Sequence, residues 1–320
     1  MKTRVLSCSL AALFLIALTI VPGSCKKDED SKTFWRIITM NNYIDNVQTY
    51  ADHLEYTGEK YTDSRAFDYE SGDSVKSTIT YPDENSAIIL DYSKIGGQWE
   101  PMSKGEYTFQ NQLATQLIFY ESSEGTFVPF MKINLTYQSG NMVEETWSFY
   151  VETWQPTMKI EYTYDGDNVV QSILSGNFSG SWEIANKEVV TYSGDKVDVI
   201  IESDYDGQAY SESSKYEFIY TDNILSKVQT YSFESGSWQT DSFIDYTYDQ
   251  HGNLTSETGN FADEVDKYVY SYEEGKGNFG QISFFYYLGG VANQFIPKIT
   301  KSTRIAEISE FGKSLREKTD

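Results

Sequence analysis

The sequence has little cysteine, proline, histidine or positive charge. The shortage of cysteine and the shortage of positive charge each exclude a class of protein. Only Cys8 and Cys25 occur. Cys8 lies within an apparent leader segment, so no disulfide holds the mature fold together. Lys and Arg number 25 against 48 Asp and Glu, which gives a net charge of −23. A nucleic-acid binder needs a basic stripe to contact phosphates, so the sequence predicts no nucleic-acid partner.

Recognisable catalytic motifs are also missing, with no G-x-S-x-G, HExxH or P-loop pattern. His53 and His251 are the only histidines, and His251 precedes a Gly-Asn turn, where we interpret it as a solvent-exposed residue. Asp165, Asp167 and Asn168 offer oxygen ligands for calcium, but turn preferences explain them more simply. We predict no enzymatic activity, no cofactor and no metal site, although abundant carboxylates leave a glycosidase-like pair open.

The N-terminus has the layout of a secretory signal. Lys2 and Arg4 precede an uncharged apolar run over 9–21. This run is shorter than the roughly 18 residues that a membrane-spanning helix needs. Cys25 follows directly, and it is the only cysteine outside the signal. We predict that Cys25 is the lipidated first residue of the mature chain; an ordinary signal peptide cleaved near Ser24 is the alternative.

This layout resembles that of bacterial lipoproteins, although Pro22 stands where their signal motif has a Leu-like residue. The charged stretch 26–30 resembles the post-cysteine signal of Bacteroidetes lipoproteins, which implies an outer-membrane lipoprotein displayed on the cell surface. The periplasmic face is the alternative. We divide the chain into a signal peptide (1–24), a charged tether (25–32) and a single β-repeat domain (33–320).

Two interlocked aromatic series repeat along the chain about every 28 residues. The first series ends tyrosine-rich runs at Tyr81, Phe109, Tyr137, Tyr164, Tyr192, Tyr220 and Tyr248. The second follows it by 17 or 18 residues, at Trp99, Phe127, Trp154, Trp182, Tyr210 and Trp238. A fixed period of this length is typical of proteins built from repeated supersecondary units.

Within each unit, apolar and polar residues alternate, as in half-buried strands. Ile160, Tyr162 and Tyr164 face opposite to Lys159 and Glu161, for example. A turn rich in Gly, Asn and Asp follows each first-series aromatic, and a second turn often places Gly just before a second-series ring. Each unit therefore predicts two antiparallel strands and two turns.

The segment Tyr248-Asp249-Gln250-His251-Gly252-Asn253-Leu254 resembles a YD (RHS-type) repeat, and 164–169 keeps part of the pattern. The chain from about residue 50 to 290 is similar to the tandem β-hairpin lipoproteins of unknown function in Bacteroidetes. These are described as having a porin-like fold, so the resemblance implies an architecture rather than an activity.

We predict an all-β fold, a long antiparallel meander of about sixteen strands in a closed or flattened barrel. Open sheets rarely exceed about ten strands, and closure removes exposed edges. An open β-solenoid is the alternative. A circular barrel of this size has an interior too wide for side chains alone, so we expect the apolar stretch 279–297 to contribute strands or a plug.

The second aromatic series supplies the candidate ligand-binding residues. Equivalent positions in successive hairpins should fall along one end of the sheet, where Trp99, Trp154, Trp182, Tyr210 and Trp238 would form a stacking platform. The alternative is that each ring covers its neighbouring glycine and packs the end of its hairpin. We favour a non-enzymatic, membrane-anchored binding or scaffold protein with a glycan or protein ligand, a glycan foremost. A transmembrane β-barrel and a glycan-active enzyme are the alternatives.

Overall fold

The computed structural model describes residues 35–69, 72–123, 125–177, 180–261 and 264–275. Cys25, the signal peptide, the charged tether and the segment 279–297 lie outside these residues. The described residues form eighteen β-strands and no helix.

The strands have the following bounds: β1 (Trp35–Ile44), β2 (Val47–Thr57), β3 (Lys60–Asp68), β4 (Ser74–Thr80), β5 (Ser86–Ile95), β6 (Gln98–Gln110), β7 (Leu113–Ser123), β8 (Thr126–Gln138), β9 (Asn141–Val151), β10 (Thr153–Asp165), β11 (Asn168–Asn177), β12 (Trp182–Ser193), β13 (Lys196–Tyr205), β14 (Tyr210–Thr221), β15 (Ile224–Glu234), β16 (Ser237–Tyr248), β17 (Leu254–Phe261) and β18 (Glu264–Glu274).

The strands form a closed antiparallel barrel. Each strand pairs with the next along the chain, and β18 returns to pair with β1, where Met40 lies opposite Tyr270. The predicted all-β meander and its closure are confirmed, with eighteen strands against the expected sixteen or so, and the open solenoid is not formed. Closure leaves no strand edge free for pairing with another chain.

The 28-residue repeat is a structural repeat. Tyr164, Tyr192 and Tyr220 each pair with the residue five positions later, directly after a register shift in the same place. These shifts are β-bulges, which bend and twist a strand and so help a long sheet to curve into a barrel. The prediction that the three tyrosines occupy equivalent positions is confirmed.

One face of every strand is buried inside the barrel. Inward side chains of alternate residues form one large apolar cluster, and Ala66 and Val75 form a second, small one. The most deeply buried aliphatic members of the large cluster, each no more than 1% exposed, are Ile89, Leu117, Ile133, Ile160, Ile200, Val228 and Ile244. At about 1.5–3 kcal/mol for each fully buried aliphatic side chain, this inward row is a main source of the barrel's stability.

Polar side chains also point inward, and many of them form hydrogen bonds between neighbouring strands. On β5, buried Asp91 accepts hydrogen bonds from the Ser77 hydroxyl at 2.7 Å and the Ser103 hydroxyl at 2.5 Å. Burial raises the pKa of Asp91, and the two serine hydroxyls only partly oppose that shift.

This raised pKa predicts a pH-dependent stability. Because the folded-state pKa of Asp91 lies above its unfolded value, ionisation disfavours the folded state. The contribution of Asp91 to stability therefore decreases as the pH rises through the folded-state pKa. We expect Asp91→Asn to gain stability relative to the wild type as the pH rises above about 4, as measured by urea unfolding. Asp198→Asn, which removes an exposed carboxyl, is the control and should change the free energy of unfolding less than Asp91→Asn does.

Candidate binding surface: the aromatic rim

The second aromatic series lies at one end of the barrel, on its outer wall. Each member is the first or second residue of its strand, and these strands are every second one from β6 to β16. The members are Trp99, Phe127, Trp154, Trp182, Tyr210 and Trp238. We call this row the aromatic rim. Neighbouring strands lie about 4.8 Å apart, so neighbouring rings recur at about 10 Å along a row of about 50 Å.

Turn chemistry places the rings at this end. Gly97, Gly180 and Gly236 precede Trp99, Trp182 and Trp238 and adopt positive φ angles of 82–86°. Residues with a Cβ rarely adopt such angles. The chain therefore reverses direction just before each of these three rings, so each ring lies at the start of its strand.

A Cβ added at Gly97, Gly180 or Gly236 would meet no atom within 4 Å, so no ring lies against that side of these three glycines. The other part of the alternative, packing of the rings at the hairpin ends, does occur. Three rim rings pack against an aromatic on the preceding strand. The ring centroids lie 5.2 Å apart for Tyr150–Trp154, 4.9 Å for Tyr205–Tyr210 and 5.0 Å for Phe233–Trp238.

Three of the six rim rings are more than a third exposed to solvent, and Phe127, Trp154 and Trp238 are partly buried. Trp99 and Trp182 are each 39% exposed, and Tyr210 is 37% exposed. A large aromatic side chain held this open on a repeating scaffold is an available contact surface. Chemically, the rim offers planar apolar faces for stacking.

A lysine from a nearby strand lies over each rim ring, and our sequence reading missed this second row. The lysines are Lys76, Lys104, Lys132, Lys159, Lys187 and Lys215, over Trp99, Phe127, Trp154, Trp182, Tyr210 and Trp238 in that order. Their ammonium nitrogens lie 4.1–5.6 Å from the ring centroids, within cation–π range. We call these lysines and rings the cation–aromatic ladder.

The signal for these lysines was present in the sequence. They recur with the same 27- or 28-residue spacing as the rings, each 22 or 23 residues before its ring. Lysine and ring sit two strands apart, so the barrel wall brings them together. An alignment of the units on charged as well as aromatic residues would have found the row.

Some ladder lysines also form ion pairs on the outer wall. The Lys215 ammonium lies 2.7 Å from Glu217, and the Tyr231 hydroxyl donates a hydrogen bond of 2.6 Å to the same carboxylate. Together these donors lower the pKa of Glu217. Lys104, Glu106 and Tyr120 form the equivalent group four units earlier.

The first aromatic series lies at the opposite end of the barrel, where its rings are partly buried against the apolar core. With Tyr56 and Tyr272, which the sequence reading missed, it forms a ring of nine aromatics that we call the tyrosine belt. Each even-numbered strand from β2 to β18 carries one belt residue, either within the strand or directly after it. The Tyr164 and Tyr192 hydroxyls donate hydrogen bonds to the backbone carbonyls of Met142 and Val169. Burial raises the pKa of Tyr192 to about 12, with neighbouring belt tyrosines adding to the shift. The belt is therefore structural.

The remaining candidate residues have structural surroundings. His251 lies in the β16–β17 turn against Trp35, with ring centroids 4.7 Å apart. In the same turn the Asp249 carboxylate accepts hydrogen bonds from the backbone of His251 and Asn253 and from the Asn253 side chain. The Tyr-Asp motif thus contributes a turn-forming aspartate. His53 is exposed on β2.

Asp165 and Asn168 face each other across the β10–β11 turn. Within the described ranges, no three His, Cys, Asp or Glu side chains are grouped closely enough to hold a metal ion. Nor does that part of the chain hold a helix long and apolar enough to cross a membrane.

No protein-family model matches the chain, and no curated protein matches it. Among solved structures, it is similar to a protein of unknown function from Bacteroides fragilis NCTC 9343, at 20% identity and a TM-score of 0.31 over 35% of this chain and 88% of that one. A second similarity is to TcdB2-TccC3-TEV, at 11% identity and a TM-score of 0.18 over 72% of this chain. This chain spans 15% of the length of that one.

Proposed function

We propose that the protein is a non-enzymatic surface lipoprotein, held to the outer membrane through Cys25, that binds a glycan along the aromatic rim. One observation carries this proposal, namely the row of partly exposed rings at about 10 Å intervals. That interval is close to the length of a disaccharide in an extended polysaccharide. Aromatic faces stack on sugar rings, so successive rim residues fit successive disaccharides of one chain.

The repetition of the rim supports binding rather than catalysis. A catalytic centre needs one tuned acid, base or nucleophile beside the reacting bond. The rim instead offers near-equivalent positions on six hairpins, an arrangement that repeat proteins use to build extended binding surfaces.

The position of the N-terminus supports display of the rim away from a membrane. β1 begins at Trp35, which contacts His251 in a turn at the tyrosine-belt end. Cys25 precedes Trp35 by ten residues, which span at most about 35 Å when extended. A lipid anchor at Cys25 would therefore hold the belt end near the bilayer and direct the aromatic rim outward.

The family of the protein is a further part of this proposal. We infer membership of the tandem β-hairpin lipoproteins of Bacteroidetes, with degenerate YD-type repeats, and display on the cell surface rather than the periplasmic face. The hairpin barrel and the aspartate-centred turn at Asp249 support this inference.

The outer wall does not favour the transmembrane-barrel alternative. A barrel that spans a bilayer presents an apolar band about 25 Å tall to lipid. Here the outward faces of the middle strands carry ion pairs such as Lys159–Glu161 and Lys227–Asp245, whereas the large buried apolar cluster lies on the inward faces.

Binding of a fluorescent glycan panel to cells expressing the protein tests the proposal. We expect wild-type cells to bind at least one glycan, and the variant Trp99→Ala/Trp182→Ala/Tyr210→Ala to lose about tenfold or more in affinity, since each ring contact contributes about 0.5–1.5 kcal/mol. Cys25→Ala should abolish cell-associated binding, while the purified Cys25→Ala chain still binds the same glycan.

The matched control is Phe67→Ala/Tyr69→Ala, which removes two exposed aromatics at the same end but outside the rim. Equal losses in both variants would count against the rim as the binding surface. Retention of Cys25→Ala on membranes would count against the anchor. Turnover of a bound glycan, abolished by changing one carboxylate, would contradict the non-enzymatic assignment.

A further inference from the structure

The lysines of the cation–aromatic ladder alternate in their pairing along the barrel wall. Lys104, Lys159 and Lys215 each form an ion pair with the glutamate two residues later, at 2.7–2.9 Å. These three lysines belong to every second repeat unit, so their charge is neutralised at every fourth strand.

The lysines of the intervening units have no such partner. Residues Thr78, Asn134 and Val189 replace the glutamate beside Lys76, Lys132 and Lys187. Within the described part of the chain, none of these three lysines forms an ion pair.

The unpaired ammonium groups lie against the rim. Lys132 lies 4.8 Å from the Trp154 ring centroid, and Lys187 lies 4.1 Å from that of Tyr210. Within the described residues, Lys132 and Lys187 thus combine a stacking face with a positive charge that no ion pair compensates, whereas Lys76 interacts electrostatically with the Asp63 carboxylate. In a chain with a net charge of −23, a regular row of unpaired cations is a local site of opposite sign, which attracts and orients anionic groups.

We propose that the glycan bound at the aromatic rim is an acidic linear polysaccharide. Its sugar rings stack on the rim residues, and its carboxylate or sulfate groups pair with Lys76, Lys132 and Lys187. These lysines recur at every fourth strand, about 19 Å apart, so a polymer with regularly repeated charges engages several of them at once. This inference rests on the proposed function, because it names the ligand class of the same site.

The test compares polygalacturonate with its carboxyl-reduced, neutral form, and chondroitin sulfate with desulfated, carboxyl-reduced chondroitin, which is also neutral, by calorimetry on the full mature chain. We expect each acidic polymer to bind more tightly than its neutral counterpart, and the difference to shrink as salt increases. Lys132→Gln/Lys187→Gln should weaken acidic binding by about twofold to fivefold per lysine and leave neutral binding unchanged.

The control is Lys104→Gln/Glu106→Gln, which removes a paired lysine together with its partner and keeps the net charge. It should change acidic binding less than twofold. Since a lysine change could disturb ring packing, a second variant keeps both lysines and supplies the missing acids, Asn134→Glu/Val189→Glu. It should reproduce the loss, whereas Gln110→Glu/Gln138→Glu, which adds two acids at the tyrosine-belt end, should not.

The outcomes separate this inference from the proposed function. Equal binding of acidic and neutral polymers, or equal losses in the unpaired-lysine variant and its paired control, would overturn the acidic ligand and leave the rim as a glycan site. Failure of every polymer to bind would overturn both.

Discussion

Deletion of residues 182–209 is expected to leave a folded, smaller barrel, whereas deletion of residues 182–195 should abolish folding. The first deletion removes one 28-residue unit, β12 and β13 with their turns, and joins Ser181 to Tyr210, which is equivalent to Trp182. Sixteen strands still alternate in direction, so β18 can still pair antiparallel with β1.

The second deletion removes β12 and its following turn alone. Every later strand then runs in the opposite direction, so the rim aromatics of β14 and β16 move to the tyrosine-belt end. β18 also meets β1 in parallel, which their antiparallel register does not permit. The open edges that result favour aggregation.

Urea unfolding and size-exclusion chromatography distinguish the two variants. The longer deletion should give a monomer with one cooperative transition and a lower free energy of unfolding. The shorter deletion should give no cooperative transition, although it removes half as many residues. A stable monomer after the shorter deletion would show that strand direction does not govern closure.

Glu145→Ala is expected to lower the free energy of unfolding by about 3–5 kcal/mol. Glu145 is fully buried inside the barrel. Its carboxylate accepts a hydrogen bond of 2.9 Å from the Trp147 indole and another from the Tyr162 hydroxyl. Alanine would leave a cavity and weaken the hydrogen bonding of two buried donors, and each buried donor left without a partner costs about 1–3 kcal/mol.

The adjacent residue provides a matched control. Glu144 points to the outer face of β9, where Thr146 donates a hydrogen bond of 3.0 Å to its carboxylate. Glu144→Ala should therefore cost less than about 1 kcal/mol, and Glu145→Gln, which keeps one acceptor oxygen, should fall between the two. Equal losses for Glu144→Ala and Glu145→Ala in urea unfolding would contradict the buried hydrogen-bond group.

The repeat and its strands could be predicted because their signals are local. Alternation such as Ile160, Tyr162 and Tyr164 against Lys159 and Glu161 has the period of a strand with one buried face. Gly and Asn after each first-series aromatic supply the backbone angles of tight turns. The expected strand number, about sixteen, agrees with the eighteen strands of the structure. The flanking belt residues, Tyr56 and Tyr272, do not keep the 28-residue spacing and were therefore not predicted.

The rim was predicted as a row of rings, but its partners were not. The sequence placed Trp99, Trp154, Trp182, Tyr210 and Trp238 at equivalent hairpin positions, which is a statement about spacing alone. It did not indicate that a lysine lies over each ring, because the lysine–ring contact joins residues that are two strands apart. The proposed lipidation of Cys25 rests on the sequence only.

The amino-acid sequence alone determined the all-β class, the unit length and the residues that share a strand face, since each follows from contacts within one hairpin. Tertiary structure decided that β1 pairs with β18, that nine aromatics form one belt, and that carboxylates such as Glu145 face the core. These features join residues of distant sequence position or distribute polar groups between two faces of a curved wall. They depend on the number and curvature of all the strands together, which no local pattern specifies.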